Sequence, residues 1–385
     1  MKNIELKNST INKVKILSMG FQITKEAKDL ITDEVKEEHR GYGNSHWGIK
    51  ETETIPAEIF LPGRIVVATH IRPNSPLTLT TDTQHNLVLL ENNKKISDIE
   101  YLKRPKIWSE KTSSGINMKK IANFYGSDCL NFNIYSGCQF WEEGLPCKFC
   151  SVQPTQKCFN EVEIRKNVED VKEAAKMAFE IEDKINFIIF TGGSYLNGDE
   201  EYDKMIPIIK AVKDVLPKSW NNVIKGNVAI MAPQSMKKID ELMDTGIEHP
   251  SFNLEVWTKK YFNYICPGKA KYRGWDHIQK SYDYAVENYG RGRFWVNFVG
   301  GLNDLEVLKD GFSYMAKKGV VPGANVFHPD VGSVIGSKRK SPSPEYIIDL
   351  FKHAAKLYHQ YNYLPFFDES CLRNSIANEA YLGYI

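Results

Sequence analysis

No stretch of this sequence approaches the ~20 consecutive apolar residues that a bilayer-spanning helix requires. Charge of one sign is also missing: 50 Lys and Arg stand against 48 Asp and Glu. No strong field therefore singles out nucleic acid or an anionic membrane surface as a partner. The opening segment, Met1-Lys2-Asn3-Ile4-Glu5, lacks the apolar core of a secretory signal, and no low-complexity tract or short repeat interrupts the chain. A soluble, cytoplasmic protein is expected, with no membrane partner and with nucleic acid not favoured. Cysteine is sparse and odd in number, at positions 129, 138, 147, 150, 158, 266 and 371, so a disulfide framework is not expected.

What is present is an ordinary globular composition, 42% hydrophobic and 25% charged over 385 residues, long enough for two or three domains. Residues 1–115 read as a small α+β extension. Lys25–His39 carries apolar residues at helical spacing, and β-like runs follow at Arg64–His70, Leu77–Thr81 and Asn86–Leu90. The aromatic, glycine-rich piece Tyr42–Gly48 is a candidate part of a substrate cap. The polar stretch Glu110–Asn117 reads as a linker. From Asp128 apolar runs alternate with helical patterns. The expected strands are Asn131–Tyr135, Ile185–Phe190, Asn227–Met231, Ser251–Val256, Phe294–Val299 and Ala324–Phe327. The helices between and after them end with Pro344–Tyr361. Six strand–helix pairs argue for parallel strands and right-handed crossovers. The expected fold class is α/β, either an open doubly wound sheet or a partial (β/α)6 TIM-type barrel, with the α+β extension before it. The core would span 116–343, and 344–385 would form a C-terminal helix and tail. In either architecture the ligand site belongs at the carboxyl ends of the strands.

Three cysteines fall within 13 residues directly after the first of these strands: Cys138, Cys147 and Cys150, with gaps of eight and two residues. Their residue types allow two readings. One is a zinc site completed by Cys158; the other is an iron–sulfur cluster with one iron left open. Further along, Gly192-Gly193-Ser194 ends the second strand, where paired glycines admit close approach to the backbone. Asn253 and Glu255 would share one face of the fourth strand. Cys266, Lys269 and Arg273 lie in the loop after it.

This series resembles the radical S-adenosylmethionine superfamily, in which three cysteines follow the first barrel strand and an aromatic residue, here Phe149, precedes the last. The first gap departs from the usual three residues, which bears on the family within the superfamily. The segment from Asn253 to Asp304 is similar to biotin synthase and its relatives. The resemblance implies a [4Fe–4S] cluster on Cys138, Cys147 and Cys150, and S-adenosylmethionine as cofactor. It places the methionine amino group at Gly192, Gly193 and Ser194, and the ribose at Asn253 and Glu255. Lys269 or Arg273 would meet the carboxylate, and Val299, Gly300, Gly301 and Leu302 would lie against adenine. Cys266, and after it Cys371, are candidate hydrogen-atom donors, and His328-Pro329-Asp330 is a softer candidate for substrate contact. No second cysteine triad and no Asp-x-His-x-x-Gly motif appears, so neither an auxiliary cluster nor cobalamin is expected. The implied activity is cleavage of S-adenosylmethionine to a 5′-deoxyadenosyl radical that takes a hydrogen atom from a small-molecule substrate. A one-electron reductant such as flavodoxin or ferredoxin is the implied partner. Two alternatives stay open: a radical enzyme modifying RNA or a peptide, and a zinc-stabilised α/β binding protein.

Overall fold

The computed structural model describes residues 2–37, 55–158, 165–330, 332–365 and 372–385. The expected pieces at Tyr42–Gly48 and at Cys371 lie outside them, as does the side chain of Cys158.

The principal sheet has seven strands: β8 (Asn123–Tyr125), β9 (Cys129–Tyr135), β10 (Phe187–Gly192), β11 (Ile224–Ala229), β12 (Ile247–Ser251), β13 (Trp295–Gly300) and β14 (Val321–Val326). They stand in sequence order across the sheet. β9 to β14 pair in parallel, and β8 is antiparallel on the β9 edge. Parallel strands covered by helices read as near-continuous apolar runs, and the buried Phe187, Ile188 and Phe190 of β10 are such a run. The crossover helices Val168–Ile181, Gly198–Lys213, Lys237–Met243, Trp275–Tyr289 and Leu305–Lys318 follow in alternation. Pro344–Tyr361 closes the series, with Ser343 accepting from the Tyr346 N–H at its start and Asn362 left-handed at its end (φ 55°).

The sheet curls. Residues of both edge strands, Asn123 and Tyr125 of β8 and Asn325 and Val326 of β14, line one cavity, yet these edges do not pair. The architecture is a partial (β/α)6 barrel with an open seam. Two short contacts stitch that seam: the Ala68 N–H donates to the Arg373 carbonyl (3.0 Å), and the Val326 N–H to the Asn374 carbonyl (2.8 Å). Residues 373–374 thus bridge from β14 to β3 (Ile65–Ala68) of the N-terminal region.

That region contains a three-stranded sheet, in which β2 (Glu58–Leu61) lies between β3 and β7 (Glu100–Tyr101), and a four-stranded one of β1 (Gln22–Ile23), β4 (Leu77–Thr81), β5 (Leu87–Glu91) and β6 (Lys94–Asp98). Most of its buried apolar residues join those of the barrel in one core from Val14 to Ala380, while Phe60, Val66 and Leu102 form a small cluster of their own. The helix Lys2–Met19 packs into this core and its buried Lys13 pairs with Glu379 (2.5 Å).

Several local expectations shift. The helix expected over Lys25–His39 is only Lys25–Asp29; Val35 instead bridges Lys103 in extended form. The polar stretch 110–117 is a closed turn docked on the barrel, with Ser113 and Ser114 donating to Glu173 and Asp170 of the first crossover helix. The fourth strand lies earlier than expected, ending at Ser251. Beyond it the main-chain ladder gives way to a side chain, since Asn253 Oδ1 accepts from the Asn297 N–H (3.1 Å).

Candidate active site

A cavity of about 590 Å3 opens at the carboxyl ends of the parallel strands, within the size range of small-molecule sites. The Cys138, Cys147 and Cys150 side chains and Phe149 line it. Cys138 is the N-cap of the short helix Gln139–Glu142, and the loop beyond is pinned from the opposite side. The Lys148 N–H donates to the Ile265 carbonyl (2.8 Å), and the Leu145 carbonyl accepts from the Gly268 N–H (3.1 Å). Gly268 sits so close to Phe140 that a Cβ there would lie 2.6 Å from the ring.

The glycine pair at the end of β10 also lines the cavity, but its closest business is with this loop. A Cβ on Gly193 would lie 1.6 Å from the Gly137 carbonyl oxygen and 2.8 Å from the Cys138 Cβ. The Gly193 N–H bonds to the Tyr135 carbonyl (2.8 Å), and the Ser194 carbonyl accepts from Gln139 (2.9 Å). Glycine at 193 therefore lets two loops lie against each other, a requirement independent of any ligand.

Asn253 and Glu255 line the cavity without sharing a strand face, because both follow the end of β12. Glu255 is left-handed (φ 69°) and is held there from both sides. Its N–H donates to Asn297 (3.1 Å) and its carbonyl accepts from Val299 (2.7 Å). A non-glycine residue in this region costs about 1–3 kcal/mol and persists where its surroundings fix it. Lys269 completes the arrangement, with Nζ 2.7 Å from Glu255 Oε1 and 2.9 Å from the Asn253 carbonyl. Burial works against the charge on Lys269; Glu255 and the nearby Cys147 and Cys266 thiols outweigh it, and the ammonium is held firmly protonated.

Other expected site residues fall elsewhere. Arg273 does not line the cavity: its guanidinium donates to the Leu196 and Tyr195 carbonyls (2.8 and 2.9 Å), tying down the loop after β10. Of the two candidate cations, Lys269 and Arg273, Lys269 is the one at the cavity. Val299 lines it, whereas Gly300, Gly301 and Leu302 turn away, the last two carbonyls accepting from Arg339. Cys266 is wholly buried and outside the cavity lining. Its thiol meets that of Cys147 and, together with burial, pushes the Cys147 thiol well above its ordinary range. Burial, and after it the neighbouring Cys147, pushes Cys150 up to about 12, and burial raises Cys138. These surroundings favour the protonated thiols, and a bound metal would hold them as thiolates.

The three thiols are donors that either metal reading uses, and the Cys158 side chain that the zinc reading adds lies outside the described residues. Among the described residues no three His, Cys, Asp or Glu side chains are grouped to hold a metal ion. A single zinc ion needs its ligands gathered at one point, whereas a cubane takes each thiolate on a different iron. Three thiols lining one cavity fit the donor set of the cluster.

Sequence reasoning missed Glu201, whose carboxyl lines the cavity while accepting from the Met231 and Tyr195 N–H groups (3.2 and 3.4 Å). Burial pushes it up to about 7. Its only signal was an acid in the first turn of a helix. Also missed was a set of inward asparagines, Asn123, Asn131, Asn133, Asn297 and Asn325, on four strands. The alternation in Cys129–Tyr135 carries the second and third of these.

No family model matches the chain. It is 23% identical over 265 residues to a protein named bacteriochlorophyllide c C-7(1)-hydroxylase from Chlorobaculum limnaeum, covering 66% of this chain and 65% of the other. The chain thus spans just under two thirds of that relative's length. Among solved structures it is similar to methylornithine synthase (TM-score 0.45, 16% identity, 69% of this chain and 77% of the other). It is also similar to a radical SAM methyltransferase from Sphaerobacter thermophilus (TM-score 0.45, 14% identity, 76% of each chain). A third is coproporphyrinogen III oxidase from Escherichia coli, titled a radical SAM enzyme (TM-score 0.38, 12% identity, 64% and 56%). Two of these three structures are described as radical S-adenosylmethionine enzymes. At these TM-scores the radical S-adenosylmethionine likeness adds no geometry, and the fold stands on the chain's own strand order. No described helix is long and apolar enough to cross a membrane.

Proposed function

We propose that this chain is a radical S-adenosylmethionine enzyme acting on a small molecule. The observation that carries the reading is the meeting, in one cavity at the strand ends, of the three thiols with the buried Lys269–Glu255 pair. Cys138, Cys147 and Cys150 would hold a [4Fe–4S] cluster. When bound, the cluster supplies one electron to S-adenosylmethionine, whose cleavage gives a 5′-deoxyadenosyl radical.

The chain's own residues bind and orient. The Lys269 ammonium favours the Cys147 thiolate and presents a fixed cation to the carboxylate of the methionine moiety. The backbone of Gly192–Ser194 offers carbonyls to its amino group. Glu255 and the Asn253 amide nitrogen remain for ribose hydroxyls, since Asn253 Oδ1 is spent on Asn297. Val299 and Phe149 give apolar wall that excludes water from the reacting end. Cys266 stands behind Cys147, so delivery of a hydrogen atom to substrate falls to another group.

The test is anaerobic reconstitution with iron and sulfide, then incubation with S-adenosylmethionine and a one-electron reductant. About four irons per chain and release of 5′-deoxyadenosine are expected. A colourless protein that takes up one zinc and yields no 5′-deoxyadenosine would replace this reading with the zinc-stabilised binding protein.

A further inference from the structure

Beyond the thiols and Lys269, the cavity has a second charged wall at the barrel seam. Glu58, on β2, is fully buried and accepts from two cations, Lys36 Nζ on Oε2 (2.7 Å) and Arg373 Nη1 on Oε1 (2.7 Å). Burial opposes ionisation of Glu58; Lys36 and Arg373 overcome it and hold the carboxyl below its usual range. Two cations thus share one anion, and the trio keeps one unit of positive charge in a low-dielectric wall. Lys36 spends its remaining donors on the Phe124 and Gly126 carbonyls (2.5 and 3.0 Å). Arg373 instead stacks on the Tyr125 ring (4.6 Å), and both line the cavity. A guanidinium carries five N–H donors, of which the Glu58 contact takes those of Nη1.

Three further features point the same way. Lys120 lines the cavity half-buried; its backbone N–H bonds to the Asn117 carbonyl, and no hydrogen bond or ion pair joins its side chain to another described residue. Asn131 stands directly across from Asn123 in the β8–β9 pair, both facing the cavity. Asn133 Oδ1 is buried there without a hydrogen-bond partner, a group that costs free energy until a donor meets it. The cavity carboxyls have partners of their own: Glu255 is paired with Lys269, Glu201 is bonded to the loops after β10 and β11, and Asp330 accepts from Ser151 and lies 3.3 Å from His328 Nε2.

We propose that Arg373 and Lys120 form an oxyanion subsite at the seam, which binds a carboxylate or phosphate of the substrate while Asn123, Asn131 and Asn133 hydrogen-bond its polar body. This deepens the radical-enzyme reading and rests on it for the word substrate. The anion site itself does not depend on the cluster. Nothing about it follows from the thiol motif, because its residues come from three segments, 120–123, 131–133 and 373.

The test uses the reconstituted protein and two probes, inorganic phosphate and acetate, each titrated against sodium chloride at equal ionic strength. Binding is followed by the rise in Tm. Wild type is expected to gain stability from at least one probe beyond the chloride control, and the tighter probe tells phosphate from carboxylate. Lys120→Gln should weaken that binding about tenfold, as loss of a charge-assisted hydrogen bond does, with iron content unchanged. Arg373→Gln should do the same; if it folds poorly, Lys120→Gln and Asn133→Ala carry the test. Equal probe binding in wild type and Lys120→Gln, or no gain over chloride, overturns the subsite. Full iron with no probe effect sinks the subsite alone, and probe binding without iron or 5′-deoxyadenosine sinks the radical reading alone.

Discussion

At one wall of the cavity, three cysteines within 13 residues are set in place by backbone contacts from the glycine pair and from the loop 265–268. At the other wall, Arg373 is set by charge against Glu58, which Lys36 shares behind it, and Lys120 stands without an ion pair to a described residue. The first wall works by close approach, so it depends on the absence of side-chain atoms at Gly193 and Gly268. The second works by a buried excess of cations, which depends on Glu58 being present. Steric fit in a packed place tolerates little change, and a buried charge tolerates loss of its partner even less.

The contrast is open to attack at both walls. Cys138→Ala, Cys147→Ala and Cys150→Ala should each remove most of the bound iron, read by metal analysis and visible absorption, whereas Cys158→Ala should keep it. Retention of iron in any of the three would break the thiol wall as described. Glu58→Gln strands Lys36 and Arg373 in the wall and should cost about 3–5 kcal/mol in urea unfolding. A smaller loss than in Gly193→Ala would reverse the ranking of the two walls. Gly193→Ala puts a methyl group onto the Gly137 carbonyl, which is backbone and cannot swing away, so a loss of about 1–3 kcal/mol together with reduced iron is expected.

The smallest effect concerns Glu201, between the walls. Burial raises its carboxyl from 4.5 to about 7 in the folded chain. The folded state therefore binds more protons than the unfolded one between these values, and stability falls as pH rises from about 4.5 to about 7. Glu201→Gln should flatten that part of the stability profile in urea titrations at a series of pH values. An unchanged slope would show that other groups set it.

How much of this was legible in the sequence follows the same division. The alternation of apolar runs and helical patterns is a local signal, and Leu77–Thr81 and Pro344–Tyr361 stand where the pattern puts them. The cysteine spacing is equally local. β12 misled because Asn253 and Glu255 look like strand positions while a side-chain bond and a left-handed residue carry the chain there. The pairing of Lys36 with Glu58 and Arg373 had no signature at all: a lysine between Val35 and Glu37 and a glutamate ahead of an apolar run look like solvated charge. Only burial in three dimensions reveals them. Cys266 and Arg273 were near the site in sequence, but the first is buried behind Cys147 and the second is turned onto the Tyr195 and Leu196 carbonyls, a matter of side-chain direction that spacing does not encode.

The stitches from Arg373 to Ala68 and from Asn374 to Val326 carry a consequence for how the chain is made. Residues 373–374 leave the ribosome after every barrel strand, so β14 emerges with its outer edge unpaired and must wait for them. Until then the nascent barrel stays ajar between β8 and β14, and an open strand edge is a template for wrong pairing with other chains. The joining contact spans some 300 residues of sequence and belongs among the slow, late steps of folding. Until the last segment docks, this side of the cavity lacks the wall that Arg373 and Asn374 supply.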